Sequence, residues 1–198
     1  SATLKKKEAQ MRIDKNTTAV LVIDVLVTEG DDTLYNPSPD EERVARNSAR
    51  VVDAARTAGM PVIFCDDAHI PGVDKELELW GEHGVAGKAV PNPLLKAGSG
   101  ARDFILQKRR YSGFFGTSLD LLLRELGVKT LVVVGEDTNI CVLHTLADAY
   151  YLGYASFVVE DATRTFLCGT QEAGIEHFQK CFGSVITTTD DMVSALEA

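Results

Sequence analysis

The sequence predicts an α/β protein built on a doubly wound, mostly parallel sheet of six strands with helices on both faces. Two observations support this fold class. Short, unbroken apolar runs recur along the chain, as expected for strands buried on both faces, and amphipathic segments with helical spacing lie between them. Alternating strands and helices imply right-handed crossovers, which make neighbouring strands parallel. Numbered along the chain, the strands are expected in the order 3-2-1-4-5-6.

The predicted strands are the apolar runs at residues 19–23, 61–65, 103–107, 130–134, 155–159 and 185–188. The predicted helices begin at capping residues, most end near a glycine, and they span about residues 38–58, 117–126, 139–152, 170–182 and 190–196. The first helix has the clearest start, a serine cap at Ser38 followed by proline and three acidic residues. A long irregular stretch, residues 66–102, follows the second strand, and such stretches are usually functional.

The chain of 198 residues fits one folded domain, which we expect over residues 18–198 behind a flexible polar arm, residues 1–17. A formal net charge of −9 disfavours a nucleic-acid partner, because phosphate binding needs a surplus of lysine and arginine. No apolar run reaches the roughly 20 residues of a membrane helix, and the charged start has no apolar signal core. We therefore expect a cytoplasmic protein without membrane contacts. No Gly-x-Gly-x-x-Gly motif follows a strand, so a dinucleotide cofactor is not indicated.

Ligands of a doubly wound sheet bind outside the carboxyl ends of the strands, near the point where the strand order reverses. There the sequence has Asp24 after the first strand, Lys108 after the third and Cys141 shortly after the fourth. A thiol close to a helix N-terminus and a cation is expected to have a lowered pKa and to act as a nucleophile. Asp24 would exchange its proton, and Lys108 would stabilise the thiolate. Each residue also has an ordinary structural explanation, as a core cysteine, a turn-forming aspartate and a solvated lysine.

Three motifs surround these strand-end residues. They are VLVID ending at Asp24, KRRYSGFFGT from Lys108 to Thr117, and GEDTNICV at residues 135–142. Together they resemble the isochorismatase-like cysteine hydrolases, the superfamily that includes nicotinamidases and N-carbamoylsarcosine amidases. The family signature reads K-x-x-Y-S-A/G-F-x-G-T, and its elbow reads G-x-x-T-N-x-C-V. The resemblance covers roughly residues 18 to 190.

The resemblance implies that Asp24, Lys108 and Cys141 form a catalytic triad. It also places a cis peptide bond between Glu136 and Asp137, and an oxyanion hole at the backbone N–H groups of Asp137 and Cys141. Family members that cleave the vinyl ether of isochorismate commonly lack this cysteine. Its presence therefore favours attack on the carbonyl carbon of an amide or ureido bond.

Four further side chains are expected to contact the substrate, two from the irregular stretch and two from the signature: His69, Trp80, Tyr111 and Phe114. The pocket nevertheless departs from the family pattern. Many relatives read Met-Gln-Asn-Asp-Phe after the first aspartate, with the aromatic residue lining the pocket, whereas residues 25–29 here read Val-Leu-Val-Thr-Glu. The substrate is therefore not transferable from a relative.

A second departure concerns metal binding. Asp67, His69 and His83 resemble three of the metal ligands of nicotinamidases, but an additional histidine is absent and Lys75 lies near its place. Three ligands would suffice to hold zinc or iron together with water. The alternative is that the two histidines are hydrogen-bonded pocket residues of a metal-free relative. Our prediction includes neither a metal nor another cofactor.

The predicted function is that of a cysteine-dependent amidohydrolase that cleaves a small amide or ureido (carbamoyl) compound through a thioester intermediate. The alternatives are a redox sensor whose Cys141 is oxidised and then resolved by another thiol, a catalytically silent binding module, and a vinyl-ether-cleaving isochorismatase. Because family members commonly form dimers or tetramers, the resemblance also implies a homo-oligomer.

Overall fold

The main sheet has the predicted topology. The structure is a computed structural model that describes residues 12–28, 34–35, 38–85 and 88–198. The strands of the main sheet are β1 (Thr18–Ile23), β3 (Val62–Asp67), β5 (Asp103–Lys108), β6 (Thr130–Glu136), β7 (Ala155–Arg164) and β8 (Val185–Thr187). All of their pairings are parallel, in the order β5-β3-β1-β6-β7-β8, which confirms the expected 3-2-1-4-5-6 arrangement. Most of the predicted N-terminal arm lies outside the described residues.

The α-helices of the described residues are α1 (Pro39–Thr57), α2 (Glu76–Trp80), α3 (Leu119–Glu125), α4 (Leu143–Tyr151), α5 (Gln171–Cys181) and α6 (Thr189–Glu197). Ser38 caps α1 as predicted, because its hydroxyl accepts a hydrogen bond from the Glu41 backbone N–H at 3.1 Å. The helix predicted over residues 117–126 begins two residues later, as α3. Thr117 accepts the bond from the Leu119 N–H, and the helix itself begins at Leu119. None of the described helices combines the length and the apolar character needed to cross a bilayer.

Apolar side chains cover both faces of the sheet. Along β1, Ala19, Leu21 and Ile23 belong to one buried core, and Val20 and Val22 belong to another. Residues of α3, α4 and α5 pack into the first core, whereas α1 and α6 pack into the second. This alternation explains why β1 reads as an unbroken apolar run, and it confirms the doubly wound arrangement.

The stretch predicted to be irregular, residues 66–102, contains some regular structure. It holds the short helix α2 and the strand β4 (Val90–Pro91), which pairs antiparallel with β2 (Leu26–Val27). Because β2 begins two residues after Asp24, this β2–β4 ribbon follows directly from the carboxyl end of β1. Pairing between segments this far apart in sequence leaves no local periodicity to detect.

Strand β7 is longer than the predicted run 155–159 because its register with β6 shifts. Val133 pairs with Val158, but Gly135 pairs with Thr163, so extra residues of β7 bulge between the two pairs. Gly135 has φ +121°, and a Cβ at this position would lie 1.9 Å from the carbonyl oxygen of Ile23. Only glycine permits this close approach of β6 to β1. The shift also sets Glu136 beside Arg164.

Candidate active site

The three predicted catalytic residues meet in one buried cluster. Asp24 follows β1, Lys108 ends β5, and Cys141 lies in a π-helical turn, Thr138–Val142, that follows β6. The Lys108 Nζ atom is 2.7 Å from the Asp24 Oδ2 atom and 3.4 Å from the Cys141 Sγ atom. A carboxylate, an ammonium group and a thiol therefore converge at the carboxyl edge of the sheet, as the strand order requires.

The Asp24 carboxylate is held by its backbone conformation and by the neighbouring strand. Asp24 has φ +50°, in the left-handed region that aspartate tolerates better than most residues. Its backbone N–H donates to the Cys65 carbonyl oxygen at 3.1 Å. Its Oδ1 atom accepts the Asp67 backbone N–H at 2.7 Å. One carboxylate oxygen is thereby used for anchoring, and the other faces Lys108.

Lys108 is completely buried and is stabilised by two carboxylates. Its Nζ atom also donates to the Oδ1 atom of Asp67, and the Tyr35 hydroxyl donates to the Oδ2 atom of Asp67 at 3.1 Å. Burial lowers the pKa of Lys108, but Asp24 and Asp67 outweigh burial and raise that pKa well above its ordinary value. For Asp67, burial acts in the opposite direction and raises the pKa, but Lys108 and His69 hold that pKa well below its ordinary value. Lys108 is therefore a permanent cation in this site.

The protonation state of Cys141 differs from the expectation drawn from the sequence. We expected a lowered thiol pKa, but burial raises the pKa of Cys141 well above its ordinary value. Lys108 lowers that pKa, whereas Asp24 and Asp67 raise it. Burial, together with the charge of Asp67, also raises the pKa of Asp24 to about 6. At neutral pH the resting pair is therefore a neutral thiol beside an ionised carboxylate, which is the pairing that a general base requires.

The turn that carries Cys141 is organised by Asp137. The peptide bond between Glu136 and Asp137 is cis, at the position that the resemblance indicated. The Asp137 carboxylate accepts the Asn139 N–H at 2.8 Å, which caps the turn. It also accepts the backbone N–H groups of Phe166 at 2.8 Å and of Leu167 at 3.0 Å. One side chain thus joins the start of the turn to the segment that follows β7.

A small cavity opens next to the Cys141 thiol. Aromatic and acidic side chains predominate among its lining residues, which are Leu34, Tyr35, Asp67, Glu76, Trp80, His83, Tyr111, Asp137, Ile140, Cys141, Phe166 and Leu167. Trp80 and Tyr111 lie on this wall, where the sequence placed them, and the Trp80 Nε1 atom donates to the Tyr111 hydroxyl at 3.2 Å. Cys141 is itself one of the lining residues, so the cavity leads to the thiol.

Two of the predicted substrate contacts do not line this cavity. The Phe114 ring packs in the hydrophobic core, with its centroid 5.7 Å from that of Tyr154, and it is not part of the cavity wall. His69 lies behind the wall, with its ring centroid 4.6 Å from that of His83. A residue of the signature motif can pack in the core or line the pocket, and the motif alone does not show which of the two it does.

Sequence reasoning missed several wall residues, notably Tyr35, Glu76 and Phe166. Phe166 follows the fifth strand of the main sheet, so a search at the end of that strand, besides the first, third and fourth, would have found it. Tyr35 adds an aromatic ring to the cavity wall. Glu76 had no signal beyond its place in the irregular stretch.

The acidic end of the cavity fits a divalent metal ion. The ligand atoms of Asp67, His69 and His83 lie within 4.8 Å of one another. The His69 Nε2 atom is 3.4 Å from the Glu76 Oε2 atom, and both atoms are buried without hydrogen-bond partners among the described residues, as is His69 Nδ1. His69 also lies 3.7–3.8 Å from carboxylate oxygens of Asp67 and Asp74, and the His83 Nδ1 atom is 2.8 Å from the Gly81 carbonyl oxygen. The metal-free alternative, in which polar contacts within the protein hold the two histidines, therefore stays a prediction beside the metal site. The Glu76 carboxylate lies close enough to His69 to serve as a fourth ligand if a metal were held by the three residues identified in the sequence.

The fold and this cluster define an α/β protein that holds a carboxylate, an ammonium group and a thiol at the carboxyl edge of a parallel sheet. The family model described as "Isochorismatase domain" matches residues 18–190, and the chain belongs to the isochorismatase family. The ureidoacrylate amidohydrolase RutB of Agrobacterium fabrum is 31% identical, over 95% of this chain and 94% of the relative.

Solved structures agree with this assignment. The N-carbamoylsarcosine amidase from Thermoplasma acidophilum matches with a TM-score of 0.75 and 32% identity, over 88% of this chain and 97% of the other. The pyrazinamidase/nicotinamidase from Streptococcus mutans matches with a TM-score of 0.76 and 32% identity, over 86% of this chain and all of the other, 100%. The chain is an amidohydrolase of the isochorismatase family, a hydrolase acting on C–N bonds.

Proposed function

We propose that this protein cleaves the C–N bond of a small amide or ureido compound through a thioester on Cys141. The contact of Lys108 with both Asp24 and Cys141 in one buried cluster is the observation that carries this proposal. Two of the relatives are named for ureido and carbamoyl compounds, which supports the substrate class. The cytoplasmic location and the homo-oligomeric state stay predictions from the sequence.

In the acylation half of the reaction, Asp24 takes the proton of the Cys141 thiol as the sulfur attacks the substrate carbonyl carbon. A general base is necessary because burial keeps the resting thiol neutral. The new S–C bond places negative charge on the carbonyl oxygen, which the backbone N–H groups of Asp137 and Cys141 stabilise. As the C–N bond breaks, the leaving amine takes the proton from Asp24.

In the second half, a water molecule attacks the thioester carbon while Asp24 accepts a proton from the water. The C–S bond breaks, the acid product departs, and the sulfur regains a proton. Lys108 remains cationic throughout. It offsets the negative charge of Asp24 in the resting state and that of the sulfur during attack and departure.

Asp67, His69, Glu76 and His83 are the residues that would hold a divalent metal. When bound, such an ion supplies a Lewis acid that can bind a polar group of the substrate. The thioester route uses only groups of the chain. Its nucleophile, base and proposed oxyanion donors are Cys141, Asp24 and the two backbone N–H groups.

The decisive experiment tests for covalent chemistry on Cys141. Purified protein is screened for ammonia release from nicotinamide, carbamoyl amino acids, biuret-like ureides and maleamate, with Cys141→Ala as the blank. We expect an acyl adduct on Cys141 by mass spectrometry, and we expect Cys141→Ala to lose turnover while it keeps its circular dichroism spectrum. Turnover retained in Cys141→Ala would end the thioester mechanism.

A further inference from the structure

A buried ion pair lies directly behind the catalytic turn. Glu136 ends β6 and Arg164 ends β7, and the Arg164 Nη2 atom donates to the Glu136 Oε2 atom at 2.7 Å. Glu136 is 0% exposed and Arg164 is 8% exposed. Neither side chain lines the cavity at Cys141, so the mechanism above gives them no role.

Glu136 is next in the chain to the residue that organises the turn. Asp137 provides one of the proposed oxyanion donors from its backbone, and its carboxylate caps the turn of Cys141. Because one peptide unit connects the two residues, a displacement of the Glu136 backbone moves the Asp137 N–H. The position of Glu136 therefore bears directly on the geometry of the oxyanion site.

Arg164 connects Glu136 to the start of α1 and to the cavity wall. Its Nη1 atom donates to the hydroxyl oxygen of Ser38, the capping residue of α1. Ser38 follows closely after the wall residues Leu34 and Tyr35 in the chain. The guanidinium carbon lies 4.4 Å from the centroid of the Phe166 ring, which is part of the cavity wall.

The charge of Glu136 depends on Arg164. Burial raises the pKa of Glu136 to about 7, Arg164 lowers it, and Glu41 and Asp24 raise it. The Oε1 atom of Glu136 has no hydrogen-bond partner among the described residues. Loss of the guanidinium would leave a buried carboxyl group without its cation, and such a group moves or takes up a proton.

We propose that Arg164 is a positioning residue for acyl transfer. Through Glu136 it holds the Asp137 N–H at the oxyanion site, and through its stacking on Phe166 it holds the adjacent cavity wall. This inference rests on the proposed thioester function. Arg164 contacts neither the thiol nor, on this arrangement, the substrate, so its effect is on geometry and not on the nucleophile itself.

Two probes of Cys141 separate geometry from thiol reactivity. p-Nitrophenyl acetate acylates a cysteine by forming the S–C bond and releasing p-nitrophenolate, and its tetrahedral intermediate needs the oxyanion site. Iodoacetamide alkylates the same sulfur by displacing iodide, without an oxyanion. We expect Arg164→Met to slow the burst of p-nitrophenolate by about 10- to 100-fold, because misplacing a group by about 1 Å can cost about 100-fold, whereas complete loss of an oxyanion donor costs about 100- to 1000-fold. Alkylation of Cys141, followed by mass spectrometry, should change by less than about threefold, since it involves no oxyanion stabilisation.

Arg164→Lys tests the same idea with the charge retained. Lysine can still pair with Glu136, so we expect this variant to recover part of the lost burst rate. The matched control is Arg56→Met. Arg56 forms a part-buried pair with Asp103, 2.7 Å between Nη2 and Oδ2, at the start of β5 and away from the site. Both rates should stay at the wild-type level in this control.

Several outcomes would overturn the positioning role. An unchanged burst rate in Arg164→Met would do so, and so would an equal loss of acylation and alkylation, which indicates general distortion. If Arg164→Met does not fold, Arg164→Gln replaces it as the uncharged variant, and a burst rate of Arg164→Lys no higher than that of Arg164→Gln contradicts the role of the ion pair. A wild-type protein that is alkylated at Cys141 but gives no burst contradicts the thioester function itself.

Discussion

Replacement of Asp24 by asparagine is the sharpest test of the proposed base. The Asp24 Oδ1 atom accepts the Asp67 N–H at 2.7 Å, and the Oδ2 atom lies 2.7 Å from the Lys108 Nζ atom. In Asp24→Asn the amide oxygen is needed to accept the Asp67 N–H, so the amide NH₂ takes the place of Oδ2. That group cannot accept the thiol proton, and it also directs donor hydrogens at the Lys108 ammonium group.

The size of the effect follows from this geometry. Loss of a general base typically slows a reaction by about 10² to 10⁴, and here burial keeps the Cys141 thiol neutral, so the base is not dispensable. This corresponds to about 3–5 kcal/mol in the barrier to acylation. The fold should survive, since Lys108 keeps Asp67 as a partner. An unpaired buried donor costs about 1–3 kcal/mol against a total stability of about 5–15 kcal/mol.

The assay is the p-nitrophenolate burst at pH 7.5, with thermal unfolding to confirm the fold. Asp66→Asn is the matched control, because Asp66, which lies on β3, is a buried aspartate like Asp24. Burial, with the charge of nearby Asp24, raises the pKa of Asp66 to about 8. Asp66 is therefore largely protonated in this assay, and an amide resembles it closely. Acylation by Asp66→Asn should stay within about twofold of wild type, since an uncharged group near the site contributes no base catalysis. Wild-type acylation by Asp24→Asn would refute the assignment of Asp24 as the base.

Three further predictions follow from the same contacts. The acylation rate of the wild-type protein should rise with pH, because only the ionised form of Asp24 accepts a proton. The midpoint of this pH profile should lie near the raised pKa of Asp24, about 6. A midpoint near 4 would contradict the effect of burial and of the neighbouring charge on Asp24. Gly135→Ala should destabilise the protein by about 3 kcal/mol or more in chemical denaturation, because a Cβ would lie 1.9 Å from the Ile23 carbonyl oxygen. Gly153→Ala measures the backbone cost alone, because φ there is +86° but an added Cβ would meet no atom within 4 Å, and equal losses in the two variants would contradict the steric argument. After dialysis against zinc, His69→Ala should retain less zinc than wild type, whereas the exposed His177→Ala should match it; equal retention by all three proteins would contradict the ligand cluster.

Much of the fold could be predicted because its signals are local. Each strand of the main sheet is a short apolar run, and most of the helices begin or end at a serine, threonine or glycine that the sequence displays. The strand order then followed from right-handed crossovers. The β2–β4 ribbon and the long form of β7 were not predicted, since both depend on pairing with segments that are remote in the chain.

The sequence by itself determined which residues end the strands, and so it brought Asp24, Lys108 and Cys141 to one edge of the sheet. Only the tertiary structure decided what those groups do when they arrive there. The Cys141 thiol is neutral because burial and two carboxylates raise its pKa more than one ammonium group lowers it. These effects depend on distances in the folded protein, which a sequence motif does not specify. The tertiary structure alone also decided that Phe114 packs into the core and that Arg164, at the end of β7, pairs with Glu136. The order of residues in the chain places these side chains at strand ends. Their pKa values depend on burial and on the distances between charged groups, and both of these are set by the whole fold.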